Sequence, residues 1–103
     1  MSPFSQIVYE LALSIPEGRV TTYGDLAHAA GGGAMASRSI SGILGKAPNQ
    51  KAIPWHRIVY AGGRVWFSPE TEKKRRAIYK KEGIEIDQKG RIKNFEEIRY
   101  TFD

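Results

Sequence analysis

The chain has 103 residues and no cysteine, which excludes disulfide bonds, zinc–thiolate sites and a thiol nucleophile. Its 16 lysines and arginines outnumber its 11 aspartates and glutamates, and the formal net charge of +5 favours polyanionic partners such as nucleic acid, although solubility alone would also account for it. The length predicts one domain over residues 1–103.

The first predicted element is a helix that contributes to the core. Ser2 and Pro3 suit an N-cap and a first helical position, and the segment Pro-Glu-Gly-Arg from residue 16 ends the helix. The apolar residues on one helical face are Phe4, Ile7, Val8, Leu11 and Ile15. This region has no basic start and is interrupted by Glu10 and Pro16, so it predicts neither a signal peptide nor a membrane span. We expect an intracellular protein, cytoplasmic or nucleoid-associated, or nuclear in a eukaryote.

A second helix is predicted after a very short extended piece at Val20 and Thr21. Thr22 and Asp25 have the spacing of a capping box, so this helix begins near Tyr23 and ends before the glycines at 31–33. Tyr23 is thereby predicted at a helix N-terminus, where backbone N–H groups favour an anion.

The third predicted helix, over residues 36–46, has two contrasting faces. Ala36, Ile40, Ile43 and Leu44 lie on one side, and Arg38, Ser41, Gly42 and Gly45 lie on the other. Each glycine costs about 1 kcal/mol of helix propensity relative to alanine. Their retention indicates close approach to another surface, which is either a partner or the protein's own chain.

Two helices joined by a glycine-rich turn are typical of a helix-turn-helix. A helix face with one long side chain suits the minor groove of DNA better than the major groove, which usually receives several reading side chains. Arg38 would then be the single probe that reaches between the bases. On this helix the predicted DNA-contacting residues are Ser37, Arg38, Ser41, Gly42 and Gly45.

The remaining elements complete a mainly α fold with a small β component, a winged helix-turn-helix. Residues 57–67 alternate around Gly62 and Gly63 and predict a β-hairpin, the wing. A helix is predicted from about 69 to 82, with Ser68 as a possible cap. The basic residues of this helix either form a patch that binds phosphate or belong to a solvated face with Glu70–Lys74 and Glu72–Arg76 ion pairs. The tail is predicted to cover the core as a short hairpin or irregular segment.

Three separated motifs carry a resemblance to a known family. The segments GRVTTYGDLA and IPWHRIV, with the Arg38 helix between them, resemble the C-terminal domain of O6-alkylguanine-DNA alkyltransferases, whose signature is Pro-Cys-His-Arg. The resemblance covers residues 4–85, without a gap between Arg38 and Trp55. Replacement of the signature cysteine by Trp55 is similar to the alkyltransferase-like proteins.

The resemblance implies roles for individual positions. Arg38 matches a finger that fills the gap left by a flipped nucleotide, and Tyr23 matches a tyrosine that helps to rotate the nucleotide's phosphate. The resemblance thereby adds Tyr23 to the predicted DNA-contacting residues. His56 and Glu82 match a relay that activates the missing cysteine, so they are expected as a vestigial scaffold, while Arg57 matches a structural arginine. The expected lesion pocket comprises Tyr23, Leu44, Trp55, Val65, Trp66 and Ser68.

Some positions depart from the family pattern. A tyrosine-serine pair of the pocket loop aligns with Ser68 and Pro69, and the asparagine after the recognition helix aligns with Ala47. These departures put hydrogen bonding to the lesion's O6 atom in doubt, and Trp66 and Phe67 would give the pocket a more apolar rim.

The chemistry of Trp55 decides the functional hypothesis. Alkyl transfer needs a nucleophile such as a thiolate, whereas the indole N–H is a donor only. The resemblance therefore implies a non-enzymatic monomer, without cofactor or metal, that binds duplex DNA containing O6-alkylguanine and recruits nucleotide-excision repair proteins. The alternatives are a sequence-specific winged-helix regulator and a residual hydrolase or glycosylase that uses His56 and Glu82.

Overall fold

The computed structural model describes residues 3–32 and 36–102. It contains five helices and two short strands within those ranges: α1 (Pro3–Leu13), β1 (Thr21–Thr22), α2 (Tyr23–Ala29), α3 (Ser37–Gly45), β2 (Ile58–Val59), α4 (Glu72–Lys81) and α5 (Phe95–Ile98). Single turns of 3₁₀ helix occur at Gln50–Ala52, Trp55–Arg57 and Ala61–Gly63. The mainly helical class with a small sheet is confirmed.

The two strands pair in parallel and bring distant parts of the sequence together. Thr21 is opposite Ile58, and Thr22 is opposite Val59. This pairing places the start of α2 beside the segment that follows Trp55. The tail extends the arrangement, because the Val20 N–H donates to the Ile98 carbonyl at 3.1 Å and the Tyr100 N–H donates to the Val20 carbonyl at 2.7 Å.

Two buried clusters form the core. Helices α1, α2 and α3 enclose the first, whose members include Val8, Ala12, Leu26, Ile40 and Leu44. The second gathers Val20, Val59, Val65, Tyr79, Ile84, Ile92 and Phe95 from the strands, α4 and the tail. Trp55 packs against the first cluster, and the neighbouring His56 ring meets the Tyr79 ring of the second. The Trp55 loop therefore lies where the two clusters meet.

The three N-terminal helices follow the predicted boundaries closely. The Thr22 hydroxyl accepts from the Asp25 N–H at 2.9 Å, which confirms the predicted cap of α2. In α1 the apolar face is rotated from the predicted one: Val8, Tyr9 and Ala12 are buried and Ile7 is exposed. The predicted cap at Ser2 and part of the predicted turn at 31–33 lie outside the described residues.

The predicted hairpin over 57–67 is wrong in extent. Between its two arms only one antiparallel bridge forms, from Tyr60 to Arg64. The turn between these residues contains Gly62 and Gly63, which have φ of 78° and 86°. The hairpin stays short because β2 pairs with β1, while the Val65 N–H donates to the Gly90 carbonyl of the tail at 2.8 Å. Both arms are thus diverted to other partners.

Helix α4 begins three residues later than predicted. The Ser68 carbonyl accepts from the N–H groups of Thr71 and Glu72, and the Ser68 and Thr71 hydroxyls share a hydrogen bond of 2.7 Å. This turn leaves Glu70 outside the helix, so its predicted pair with Lys74 is wrong, whereas Glu72 and Arg76 pair at 2.8 Å. The tail makes a bridge between Ile86 and Ile92, as expected, and also the unpredicted helix α5.

No helix in the described ranges combines the length and the apolar character needed to cross a membrane.

Candidate nucleic-acid interface

The Trp55 loop is a tight turn fixed by backbone hydrogen bonds. The Trp55 N–H donates to the Ile53 carbonyl at 2.9 Å, and the Arg57 N–H donates to the Pro54 carbonyl at 2.9 Å. The Trp55 side chain is half-buried against the α1–α3 cluster. The largest side chain of the loop is therefore anchored on the core and still partly accessible.

Glu82, the residue after α4, ties this loop to two other segments. Its Oε2 atom lies 2.5 Å from His56 Nε2 and 3.0 Å from Arg57 Nη2, and Arg57 Nε lies 3.1 Å from Oε1. The Gly18 N–H also donates to Oε1, at 3.0 Å. Arg57 Nη1 completes the network by donating to the Ile15 carbonyl at 3.0 Å.

The network keeps the Glu82 side chain ionised, although only 6% of it is exposed. Burial is the largest single influence and opposes ionisation, but hydrogen bonds from Arg57, the Gly18 N–H and His56 outweigh it and lower the pKa to about 2. A carboxylate only accepts hydrogen bonds, so the facing Nε2 atom of His56 carries a hydrogen. The predicted proximity of His56 and Glu82 is present, and both carboxylate oxygens of Glu82 accept hydrogen bonds.

Tyr79 lies under the same loop. Its ring meets the His56 ring edge-on at 6.0 Å between centroids, and it is 1% exposed. Its hydroxyl has no hydrogen-bond partner among the residues that the structure describes. Burial raises the pKa of Tyr79 to about 12, and the Arg75 guanidinium opposes that rise without satisfying the hydroxyl.

A cleft of about 510 Å³ opens between the start of α2, the first turns of α3 and the turn after β2. It is lined by Thr22, Tyr23, Gly24, Ser37, Arg38, Ser41, Tyr60 and Ala61. The Tyr23 and Tyr60 rings stack in a tilted arrangement with centroids 5.4 Å apart, and the Arg64 guanidinium lies 5.7 Å from the Tyr60 centroid. Burial, with a smaller contribution from Tyr60, raises the pKa of Tyr23 above its ordinary value.

The solvent-facing side of α3 has the predicted composition. Arg38, Ser41, Gly42 and Gly45 are exposed, whereas Ile40 and Leu44 are fully buried. A Cβ atom built on Gly42 or Gly45 would meet no described atom within 4 Å. Packing against the described part of the chain therefore gives no reason for either glycine.

The structure brings together only part of the predicted site. Four predicted DNA-contacting residues, Tyr23, Ser37, Arg38 and Ser41, line the cleft, and the two glycines continue the same face of α3. Of the predicted lesion pocket, only Tyr23 lines this cleft.

The other predicted pocket residues have different environments. Leu44 is fully buried on the inner side of α3, and Val65 is buried in the second cluster. Trp66 is 62% exposed, and Ser68 is engaged in the turn before α4. Together with Trp55, their place in a lesion pocket stays a prediction.

Sequence reasoning missed Tyr60 as a cleft residue. The residue follows directly on β2, and it reaches the cleft because β2 pairs in parallel with β1, which ends at Thr22, immediately before Tyr23. The available signal in the sequence was an aromatic residue shortly before a glycine pair. The sequence did not reveal that the segment before Tyr60 pairs with β1. No group of His, Asp or Glu side chains arranged to hold a metal ion occurs within 3–32 and 36–102.

Comparison with known proteins identifies the fold and the family. Residues 3–84 match the family model described as 6-O-methylguanine DNA methyltransferase, DNA binding domain. The chain is 38% identical over 90 residues to an Escherichia coli protein named DNA base-flipping protein, covering 86% of this chain and 68% of that protein.

Solved structures agree with the sequence matches. An alkyltransferase-like protein of Schizosaccharomyces pombe, in complex with damaged DNA containing O6-carboxymethylguanine, superposes with a TM-score of 0.79 at 27% identity over 98% of this chain and 97% of that one. The Mycobacterium tuberculosis O6-methylguanine methyltransferase gives 0.62 at 28% identity over 80% of this chain and 49% of that one. These matches confirm the helix-turn-helix fold and the resemblance seen in the sequence. The chain belongs to the family of the DNA-binding domain of 6-O-methylguanine DNA methyltransferases, as an alkyltransferase-like member.

Proposed function

We propose that this protein recognises alkylated DNA without repairing it. It binds duplex DNA from the minor groove, holds a flipped O6-alkylguanine beside Trp55, and marks the lesion for nucleotide-excision repair. One observation carries the proposal: Trp55 occupies the nucleophile position of the Pro-X-His-Arg signature in a chain without cysteine, while the network around His56 and Glu82 is complete.

The chemistry at Trp55 favours binding over transfer. The indole nitrogen offers a hydrogen and no available lone pair, so it does not accept an alkyl group. The two carboxylate oxygens of Glu82 are engaged by His56, Arg57 and the Gly18 N–H, which suits a scaffold that holds the loop. A base stacked on an aromatic side chain gains about 1 to 3 kcal/mol, and the partly accessible Trp55 ring can offer that surface.

The cleft and α3 support an approach from the minor groove. Arg38 is exposed on a helix face whose other members are small, and this face adjoins the cleft that Tyr23 lines. A helix face with small side chains fits a minor groove about 6 Å wide, with the Arg38 guanidinium inserted between the bases. Extruding a base costs a few kcal/mol, and less when the base is damaged or mispaired, so the lesion itself contributes to selectivity.

The relatives support the same function. The E. coli relative is named for base flipping, and the S. pombe relative has been solved on DNA that contains O6-carboxymethylguanine. We extend the proposal from binding to signalling: the bound protein and deformed DNA form the surface that nucleotide-excision repair proteins meet.

The proposal is tested by fluorescence anisotropy on two matched duplexes, one with a single O6-methylguanine and one with guanine, at a stated salt concentration. We expect tighter binding to the methylated duplex, and mass spectrometry afterwards should find the methyl group still on the base. Equal affinity for both duplexes would instead indicate a general or sequence-specific DNA-binding protein. Loss of the methyl group or of the base would show an enzyme.

The signalling step has its own test. In a reconstituted excision assay on the methylated duplex, added protein should raise the yield of excised oligonucleotide. The same protein in excess should slow repair of that duplex by a cysteine-containing alkyltransferase, because the lesion is covered. Unchanged excision would remove the signalling step from the proposal and leave recognition intact.

A further inference from the structure

A cationic group that the proposed function has not used lies against Tyr60, one of the residues that line the cleft. Tyr60 lines the cleft and is 44% exposed. One neighbour of its ring is Tyr23, at 5.4 Å between centroids, and another is the Arg64 guanidinium, 5.7 Å from the Tyr60 centroid. Tyr60 is thus in contact with both a second aromatic ring and a guanidinium.

Arg64 differs from the arginines that stabilise the fold. Arg57 pairs with Glu82, Arg76 with Glu72, and Arg99 with Asp25. Arg64 is exposed and forms no ion pair with a carboxylate of the described residues. Its contact is with an aromatic ring, which orients a guanidinium while leaving its N–H donors available for an anion.

The backbone holds this guanidinium in a defined place. The Tyr60 N–H donates to the Arg64 carbonyl at 2.8 Å, and the Gly63 N–H donates to the Tyr60 carbonyl at 3.0 Å. Gly63 has a φ of 86°, and a Cβ atom there would come within 2.8 Å of the Phe95 ring. The turn therefore needs glycine at this position and is packed on the tail, so Arg64 projects from a rigid support.

We propose that Arg64 is a phosphate anchor of the DNA interface, and that Tyr60 positions both Arg64 and Tyr23. The proposal rests on the proposed function, since it assumes that DNA enters the cleft. The partner is the backbone phosphate of a duplex: an unpaired, pre-oriented guanidinium forms bidentate hydrogen bonds with phosphate oxygens. Arg38 would then contact the DNA from α3, and Arg64 would contact it from the turn after β2.

The test compares salt dependence across variants on the methylated duplex, between about 50 and 200 mM salt. The slope of log affinity against log salt concentration is negative, and removing one phosphate contact should reduce its magnitude by about 0.9. Arg64→Ala should show this change and weaken binding roughly three- to tenfold at the lower salt. Lys74→Ala, which removes one charge from the exposed surface of α4, is the matched control and should leave the slope unchanged.

The role of Tyr60 is tested with two variants of different chemistry. Tyr60→Phe keeps the ring and should bind like the wild-type chain. Tyr60→Leu should reproduce much of the Arg64→Ala slope change, and adding Arg64→Ala to it should cost less than the two changes separately. Independent, additive effects would overturn the positioning role of Tyr60.

The two proposals fail in distinguishable ways. If Arg64→Ala and Lys74→Ala shift the slope equally while the wild-type chain still prefers the methylated duplex, the anchor is wrong and the proposed function stands. If the wild-type chain does not bind duplex DNA, both are wrong. Thermal melting of each variant identifies any loss of binding that comes from unfolding.

Discussion

At the scale of one residue, Glu82 is the acceptor on which hydrogen bonds from three other residues converge. The carboxylate receives hydrogen bonds from His56, Arg57 and the Gly18 N–H, which join α4 to the Trp55 loop and to the segment before β1. Because a buried acceptor that loses its charge leaves its donors poorly paired, the network contributes to stability at neutral pH.

We therefore expect Glu82→Gln to lower the free energy of unfolding by about 3 kcal/mol at pH 7, measured by urea denaturation. Since the folded-state pKa of Glu82 is lowered to about 2 from its ordinary value of 4.5, the stabilisation is present above pH 4.5 and is lost as the pH falls toward 2. The variant should lack this acid-dependent part. Glu85→Gln, at an exposed carboxylate 3.8 Å from Lys93 Nζ, is the control and should change stability little.

Tyr79 carries the opposite kind of feature, a buried hydroxyl without a hydrogen-bond partner among the described residues. Removing an unsatisfied polar atom while keeping the ring should be neutral or stabilising. We expect Tyr79→Phe to raise the free energy of unfolding by about 1 kcal/mol in urea denaturation. A loss of stability would show that the hydroxyl has a partner, such as the neighbouring Arg75.

At the scale of the element, α3 combines a buried side that fixes it and an exposed side that is nearly free of side chains. Ile40 and Leu44 pack into the first cluster, so the opposite face must point outward. Gly42 lies within the helix on that outer face, with open space around it. Helix stability therefore favours alanine at this position, whereas the proposed close approach to DNA favours glycine.

Gly42→Ala separates those two demands. Alanine should stabilise the helix by about 0.5 to 1 kcal/mol, because it restricts the unfolded chain and meets no described neighbour. The added methyl group should weaken DNA binding if the helix face lies against the groove. Melting curves and anisotropy on the methylated duplex measure the two effects, and stronger folding with unchanged binding would contradict the close approach.

Two basic positions on α3 and α4 should differ in their effect on DNA. Arg38→Ala should weaken binding to the methylated duplex and lower the flipped fraction, because its side chain adjoins the cleft. Lys74→Ala should have little effect if the exposed surface of α4 is only solvated. A 2-aminopurine reporter opposite or beside the lesion follows flipping; equal losses in both variants would contradict this division.

At the scale of the molecule, the tail connects the two buried clusters. Arg99, after α5, donates to both carboxylate oxygens of Asp25 in α2, at 2.8 and 2.7 Å. The Arg99 hydrogen bonds, which outweigh burial, lower the pKa of Asp25. This ion pair joins the helix that begins at Tyr23 to the segment that packs under the Gly63 turn.

We expect Asp25→Asn to destabilise the chain by about 1 kcal/mol at pH 7, a value reduced by the partial exposure of the pair. Because the folded-state pKa of Asp25 is lowered, the stabilisation is present above the ordinary carboxyl pKa and disappears as the pH falls through the lowered value. Urea denaturation at pH 7 and under acid conditions measures it. An equal effect of Asn at both pH values would contradict a contribution from the charge.

The sequence by itself determined α1, α2 and α3, the exposed face of α3 and the chemistry that Trp55 excludes. These depend on local information: helical periodicity, the cap at Thr22 and the side-chain chemistry of one residue. The three motifs together, GRVTTYGDLA, the Arg38 helix and IPWHRIV, were also sufficient to identify the family.

Only the tertiary structure decided which distant residues meet. Pairing of β1 with β2 is a long-range contact without a local signal, and it shortened the predicted wing and placed Tyr60 on Tyr23. The late start of α4 came from hydrogen bonds between Ser68 and Thr71, which competed with the helix. The burial of Leu44 and Val65 followed from packing between elements, because an apolar residue can face either a core or a ligand, and the neighbouring elements decide which.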